Sequence, residues 1–596
     1  MEVKRLFDYL TKQLQNQADA PFISAKEFTS TGVKEWNHYS YQAFQDWCNK
    51  VSLLLLSKGL QPGDKIAIIS ANRAEWNMVD IGSQQIGLVN VPMYPSISED
   101  DYAFIFRDAQ IRFAFVGDSG IYQKVKSLQE KIQSLQGIIS FDKIEGVSNF
   151  WEALKLIDST DFSSVEARKA LVKEHDVATI IYTSGTTGNP KGVMLTHQNI
   201  VSNLTGISQV LPFLERERAL SFLPLCHSFE RTVFFAYLMI GIHIYYAESL
   251  ETIGENLQEV KPYCFTTVPR LLEKVYEKIM AKGNALSGFK KRLFFWSIAL
   301  GEQYELGVHQ GFWYQLKLYI ARLFVFSKWQ LALGGNIRFI VTGAAAMQPR
   351  LIKLFAAANV HVIEGYGLTE TSPVLSVNGM LEQERCVGSI GMPIPGVEIK
   401  LAADGEIIAR GKNIMKGYYN RPDLTAEVID ADGWFHTGDI GTWVTHFGKQ
   451  FLKITDRKKE LFKTAGGKYI APQAIENKMK ESPYIEQLMV VGGDDKKYIG
   501  ALIVPSLQQV KAWANQNNIL FSNETDLVQH PKVIALIQYE VDSLNMHFGK
   551  WEQIKRFKLL EREWTIEQGY LTPTMKLKRK ILHESFRREI EDIFNS

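Results

Sequence analysis

Cysteine is scarce in this chain. Its 596 residues hold four, Cys48, Cys226, Cys264 and Cys386, and no two form a CxxC pair. That excludes a disulfide framework and a cysteine zinc site, and it fits a reducing cytosol. Excess charge is scarce too: 67 Lys and Arg face 65 Asp and Glu, a net +2. So weak a balance argues against a nucleic-acid partner. No apolar run reaches the ~20 residues of a spanning helix. The strongest, Thr232 to Ala247, contains Gly241 and His243. A buried helix running into a buried strand is expected there. The opening MEVKRLFDYL has no long apolar core of a secretory leader, and the ending EDIFNS is neither SKL nor a prenylation box. A cytoplasmic protein is expected. Internal repeats and low-complexity stretches are absent.

The chain is too long for one core, because a single core seldom exceeds about 250–300 residues. Its first part alternates apolar strands with helical segments: DKIAIIS (64–70), LVNVPMYP, IRFAFVGD (111–118), VATIIYTS (177–184), IRFIVTG (337–343) and VHVIEGYG (360–367). Continuous apolar strands between helices imply α/β architecture with parallel sheets covered on both faces. After Gly388 short β-like pieces separated by Gly and Pro suggest a small β-rich subdomain, about 388–455. The charged run TDRKKE (455–460) follows, then a compact α+β pattern. The expected organisation is a large N-terminal domain over 1–455 and a small, mobile C-terminal domain over 456–596.

Tyr182 to Gly192 reads YTSGTTGNPKG, directly after a buried strand. Gly185, Gly188 and Gly192 permit tight turns and close approach to a ligand. Thr183, Ser184, Thr186 and Thr187 supply hydroxyls, and Lys191 supplies positive charge. Together they suit a polyphosphate. The loop is not a Walker A motif, since Pro190 stands where that motif needs Gly.

Five further motifs follow: LPLCHSFER (223–231), GYGLTET (365–371), GWFHTGD (433–439), DRKKELFK (456–463) and TPTMKLKRK (572–580). With the loop, their identity and order resemble the adenylate-forming superfamily of acyl-CoA synthetases, luciferases and peptide-synthetase adenylation domains. The likeness covers nearly the whole chain. LPLCHSFER, VPRLLEKVYEKI (268–279) and the C-terminal motif look most like its long-chain fatty acyl-CoA synthetase branch. The resemblance implies an AMP-forming acid–thiol ligase that joins a fatty acid to ATP as acyl-AMP, releases pyrophosphate, and passes the acyl group to coenzyme A.

The resemblance also implies roles. Tyr366 would stack on adenine, with Glu364, Gly365, Gly367 and Gly343–Ala344–Ala345 around the nucleotide, and the loop Thr183–Gly188 with Lys191 at its phosphates. Thr369 would meet the α-phosphate and Glu370 would hold Mg²⁺, a hard cation suited to carboxylate and phosphate oxygens. Asp439 would take the ribose hydroxyls, supported by Arg457. His227 would stand beside the reacting carboxylate. Lys576 would be the catalytic lysine, bridging carboxylate and α-phosphate; Met575 precedes it where Gly is usual, and Lys578 and Lys580 stand nearby. Lys459 would be the hinge about which the C-terminal domain rotates between half-reactions. Gly466 and Gly467 would then face the thiol.

Two readings of residues 289–332 stay open. Bases and aromatics interleave there in FKKRLFFW and GFWYQLKLYIARLFVFSKW. One reading is a surface that touches the inner face of a membrane peripherally, where long-chain acids partition. The other is helices packed on the large domain with their bases snorkelling outward. An oligomer is left open. Rival functions are a fatty acyl-AMP ligase or other adenylating enzyme with a different acceptor, and an inactive lipid-transport or scaffold relative. No carrier domain is expected, since few residues follow Lys580. Retention of Lys191, Glu370, Asp439, Arg457 and Lys576 speaks against the inactive relative.

Overall fold

The computed structural model describes residues 2–28, 32–183, 190–211, 214–458, 460–465, 469–566, 568–572 and 575–595. It divides into two compact units. The first comprises Met1–Lys400, Ile408–His436 and Val444–Leu452; the second comprises Leu401–Ile407, Thr437–Trp443 and Lys453–Ser596.

Two large sheets make the first unit. One has seven strands, in the order Gly417–Tyr418, Lys191–Thr196, Val177–Thr183, Val89–Met93, Lys65–Ile69, Ile111–Val116 and Gly137–Ser140. Its five strands from Val177–Thr183 onward pair in parallel. These are the runs whose continuous apolar sequence signalled burial on both faces; Ile66, Ile68, Val91 and Phe115 are fully buried.

The other sheet has nine strands. Its six central strands are parallel: Pro21–Phe28, His243–Tyr246, Arg218–Ser221, Cys264–Thr267, Phe339–Thr342 and His361–Gly367. The expectation of parallel sheets needs correcting at the edges. Lys34–Ser40, Val374–Val377 and Met392–Pro393 join this sheet antiparallel, as Lys191–Thr196 and Gly417–Tyr418 join the other. Edge strands need cover on fewer sides. Accordingly Lys34–Ser40 is mostly polar and exposed. The fold is thus α/β with mixed sheets.

Thr232–Ala247 forms a buried helix and strand, as expected: Ser228–Ile240, then His243–Tyr246. Gly241 ends the helix at φ +92°, and a Cβ there would lie 2.4 Å from the Gln17 amide. No helix of the described residues is long and apolar enough to cross a membrane.

The second unit has a three-stranded sheet. Ile485–Val491 pairs antiparallel with Ile499–Pro505, which pairs in parallel with Ile554–Leu559. Leu488, Val490, Ala501 and Ile503 form its core with helices Pro472–Met479 and Pro531–Asn545.

Candidate functional site

In the first unit the motifs converge beyond the carboxyl ends of parallel strands, where open α/β sheets bind ligands. His361–Gly367 runs out into a one-turn 3-10 segment, Thr369–Thr371. The turn is fixed by Thr371, whose hydroxyl accepts from the Leu368 amide at 2.9 Å, and by Asn413, whose side chain donates to the Thr371 carbonyl at 2.9 Å. Gly367 is obligatory. A Cβ on it would sit 1.6 Å from the Pro373 carbonyl oxygen.

Four other segments meet this turn. The Ser228 hydroxyl lies 3.2 Å from the Thr369 hydroxyl. Before it, the His227 ring caps the helix Ser228–Ile240, its Nδ1 accepting from the Phe229 amide at 3.2 Å. Gly343 follows the strand Phe339–Thr342, and a Cβ there would meet the Gly365 carbonyl at 3.5 Å and the Phe229 ring at 3.6 Å. Ala344 takes a positive φ of 68°. The Tyr418 hydroxyl donates to Glu370 at 2.9 Å, and the Lys191 ammonium stands over the Tyr418 ring at 5.1 Å. Lys191 lies opposite Thr183 in the ladder, so both ends of the glycine-hydroxyl loop are placed. Ser184, Gly185, Thr186, Thr187 and Gly188 lie outside the described residues.

The structure therefore brings together Lys191, His227, Thr369 and Glu370, with Gly343 and Gly365 beside them. The Tyr366 ring is almost wholly buried. Glu364 sits opposite Thr342 in the parallel ladder and accepts from the Met347 amide at 3.0 Å, closing the loop that carries Ala344 and Ala345. Burial pushes its carboxyl up to about 8. Among the described residues no three His, Cys, Asp or Glu side chains gather as a metal cage. One carboxylate plus substrate phosphates is, however, the donor set that Mg²⁺ commonly takes. Glu370, linked to Lys191 through Tyr418, fits it.

Sequence reasoning missed four contributors. Tyr418 links Lys191 to Glu370, yet GYY reads as an ordinary turn. Ser228 is hidden inside LPLCHSFER. Glu230 and Arg231 of the same motif are fully buried: Glu230 accepts from the Ser221 and Thr266 hydroxyls at 2.5 and 2.6 Å, and Arg231 pairs with Asp80, Nε to Oδ2 at 3.0 Å. Burial raises the Glu230 carboxyl to about 7. Two charges entering the apolar run RTVFFAYL were the available signal, because buried charge must be paired.

In the second unit Arg457 Nε lies 3.5 Å from Asp439 Oδ1, and Asp439 is nearly buried. The pair is framed by the Gly438 amide donating to Glu406 and by Lys458 paired with Asp404 and Glu406 at 2.6 and 2.8 Å. Arg579 was also missed. It joins Glu460 at 2.9 Å to Glu476 at 2.7 Å, tying the charged run TDRKKE to the segment behind Lys576.

Lys576 closes a tight turn. Its carbonyl accepts from the Thr572 amide at 2.8 Å, its amide donates to the Thr572 hydroxyl at 3.1 Å, and the Met575 amide donates to the Thr572 carbonyl at 2.8 Å. Met575 has φ +62°. That gives a backbone reason for Gly at this position, since a Cβ is disfavoured there. Lys578 donates its amide to the Tyr570 carbonyl, and Lys580 lies in the helix Arg579–Ser585. Lys459, Gly466 and Gly467 lie outside the described residues.

Comparison with known proteins shows the family. Residues 10–419 match the family model of the AMP-binding enzyme, and residues 460–596 match that of the AMP-binding enzyme C-terminal domain. The chain is 34% identical to long-chain-fatty-acid–CoA ligase FadD15 of Mycobacterium bovis, over 91% of this chain and 90% of that protein. It is 32% identical to long-chain-fatty-acid–CoA ligase 5 of Rattus norvegicus, over 100% of this chain and 89% of that one. Among solved structures it is similar to the adenylation domain of a carboxylate reductase from Mycobacterium chelonae. The TM-score is 0.76 at 21% identity, covering 99% of this chain and 91% of that one, a likeness of fold.

Proposed function

The chain belongs to the AMP-binding enzyme family, and on that premise we propose that it is a long-chain fatty acid–CoA ligase that forms acyl-AMP from ATP and then acyl-CoA. The observation that carries the reading is the single cluster of Lys191, Tyr418, Glu370, Thr369, Ser228 and His227 at the strand ends. A carboxylate is a weak nucleophile facing a repelling triphosphate, so the work of the site is neutralisation and alignment.

Lys191, paired with Thr183 in the ladder, supplies positive charge to the phosphates of ATP, which the hydroxyls and glycines of residues 183–188 would also serve. Thr369 and Ser228 offer adjacent hydroxyls to the α-phosphate. His227, fixed as a helix cap, stands beside the acid's carboxylate. Glu370, with the phosphate oxygens, would hold Mg²⁺, whose charge favours departure of pyrophosphate. Tyr366, Glu364, Gly365, Gly367 and Gly343–Ala345 surround adenine; Asp439 with Arg457 takes the ribose. Lys576 adds positive charge between carboxylate and α-phosphate during attack. In the second step the CoA thiol attacks the acyl carbon and AMP leaves, with Lys459 as the hinge and Gly466–Gly467 on the thiol side. The relatives' names support a long-chain acid. A peripheral membrane contact through residues 289–332 belongs to the same reading.

The test is a panel of acids from acetate to oleate, given with ATP and CoA. Pyrophosphate release should need the acid, and AMP release should need CoA. Because each buried methylene adds about 0.8 kcal/mol, kcat/KM should rise steeply toward acids of about twelve to eighteen carbons. Equal use of acetate would sink the long-chain assignment. Pyrophosphate release with no response to CoA would favour an acyl-AMP ligase instead.

A further inference from the structure

Lys576 sits at the tip of a short hairpin. Leu571 bridges Leu577 antiparallel, and the Lys578 amide donates to the Tyr570 carbonyl at 2.9 Å. Bonds within the tip fix its shape; where it stands is decided at its root. There, three residues beyond Lys576, Arg579 opens the helix Arg579–Ser585 with a side chain only 19% exposed. Its Nε donates to Glu460 Oε2 at 2.9 Å, its Nη2 donates to both oxygens of Glu476 at 2.7 Å, and its Nη1 reaches the Val490 carbonyl at 3.5 Å. Each partner is itself held. Glu476 lies in the helix Pro472–Met479 and accepts from the Val490 amide at 2.7 Å, which joins it to the strand Ile485–Val491. Glu460 accepts from the Gln473 side chain at 3.0 Å. All of these residues belong to the second unit.

For stability alone, such a fork is a poor device. One guanidinium and two carboxylates must be desolvated, and apolar residues of the same volume often serve as well. What the fork supplies is geometry, since a planar guanidinium bonds two carboxylates only in its own plane and at a set separation. The partners show what is being aligned. Glu460 follows Lys459 directly. Arg457, on the other side of Lys459, lies 3.7 Å from Glu460 Oε1 and meets Asp439 at 3.5 Å. Glu460 is thus held from both sides of position 459, loosely by Arg457 and closely by Arg579. A rotation at that position would part the 3.7 Å contact and carry the 2.9 Å one along.

We propose that Arg579 is a positioning residue for acyl-adenylate formation. It fixes the Lys576 hairpin to Glu460, so that the lysine and the first residue after the hinge move as one body and Lys576 arrives at one place against the α-phosphate. Arg579 acts through Lys576 and not on the substrate. The proposal rests on the ligase reading and on Lys576 as its catalytic lysine.

The two half-reactions of the full chain, measured apart, test it: dodecanoate with ATP for the first, pre-made dodecanoyl-AMP with CoA for the second. Misplacing a catalytic group by about 1 Å can cost about 10²-fold, so Arg579→Gln should slow acyl-adenylate formation roughly 10- to 100-fold. The loss should fall on kcat, with KM for ATP and for the acid within about twofold and thioester formation within about threefold. Glu460→Leu removes the hinge-side bond alone. It leaves Arg579 paired with Glu476, so it keeps its fold even where Arg579→Gln does not, and should show the same split at roughly fivefold. In a Lys576→Ala background Arg579→Gln should slow adenylation no further, because the group it positions is gone. Additive losses overturn the proposal. So does equal loss of both half-reactions, which would make Arg579 a support of the fold alone, and so does unchanged adenylation in both folded variants. A wild-type chain that releases no pyrophosphate with any acid removes the ligase reading itself; wild-type adenylation matched by both variants removes this proposal and leaves that reading standing.

Discussion

Two short turns carry residues at the centre of the proposed chemistry, and they are built differently. The turn bearing Thr369 and Glu370 is tied by its own Thr371 and by side chains from distant segments, Asn413, Tyr418 and Ser228. Its tightest steric demand, at Gly367, is met by glycine, while its cap, Ser372, takes a positive φ of 64° and is buried in place. The turn bearing Lys576 is held by local bonds to Thr572. Its backbone demand, a positive φ, falls on Met575. A phosphate-facing carboxylate gains from preorganisation, because its place is fixed before charge develops. A lysine is a point charge on a flexible stem, so its own side chain can adjust to the charge it meets.

The comparison breaks most sharply at Gly367. Gly367→Ala places a methyl into the Pro373 carbonyl, and overpacking on rigid backbone costs about 3 kcal/mol or more. The urea midpoint should fall and adenylation should vanish with it. Normal adenylation in a stable Gly367→Ala protein would mean that the turn is not rigid.

Lys576→Ala is the counterpart on the other turn. It should leave the urea midpoint within error. Formation of acyl-adenylate should slow by roughly 10²- to 10³-fold, the range for loss of one contact to transition-state charge. Given pre-made acyl-adenylate and CoA, the variant should still make thioester. If Lys578→Ala shows that split instead, the catalytic lysine is misassigned.

How much of this was legible beforehand follows from where the signals lie. The parallel strands were readable because burial on both faces leaves an unbroken apolar run, as in KIAII and VATIIYT. The antiparallel edges were not, because Val374–Val377 is equally apolar and only pairing shows its direction. Motif order placed the Thr369–Glu370 turn. It could not supply Tyr418, whose bond to Glu370 spans 48 positions. Residues 289–332 had the spacing of helices. Spacing alone does not say which face meets the core when both faces are apolar.

A third expectation sharpens the role of burial near the first turn. The Glu364 carboxyl is pushed up to about 8, from an ordinary value near 4.5, because it is sealed from water. Between those values the native state holds a proton that the unfolded chain has lost. Stability from this group is therefore full below about 4.5 and falls as pH rises toward 8, by somewhat over 1 kcal/mol per pH unit within the window. Glu364→Gln keeps an acceptor for the Met347 amide and removes the titration. Urea midpoints at pH 5, 6, 7 and 8 should decline less steeply in the variant than in the wild type; parallel declines would assign the pH dependence to Glu230 or to Asp456, whose carboxyl burial also raises to about 7.

The smallest effect is expected at Met575, and it bears most directly on the difference between the turns. Met575 is 45% exposed, so little packing is lost when its side chain is removed. Its φ of +62° is a conformation that costs an L-residue about 1 kcal/mol and costs glycine almost nothing. Glycine also gains entropy in the unfolded chain, which offsets part of that relief. Met575→Gly should therefore raise the unfolding free energy by no more than about 0.5–1 kcal/mol. The informative reading is kinetic. If Met575 serves only the backbone of the turn, relieving the strain should leave the rate of adenylation within about twofold while the urea midpoint rises slightly. If Met575 instead packs against a ligand during adenylation, its loss should raise KM for acid or ATP with no gain in stability. A stabilised Met575→Gly protein with an unchanged adenylation rate would establish that this turn tolerates its strained residue and does not use it.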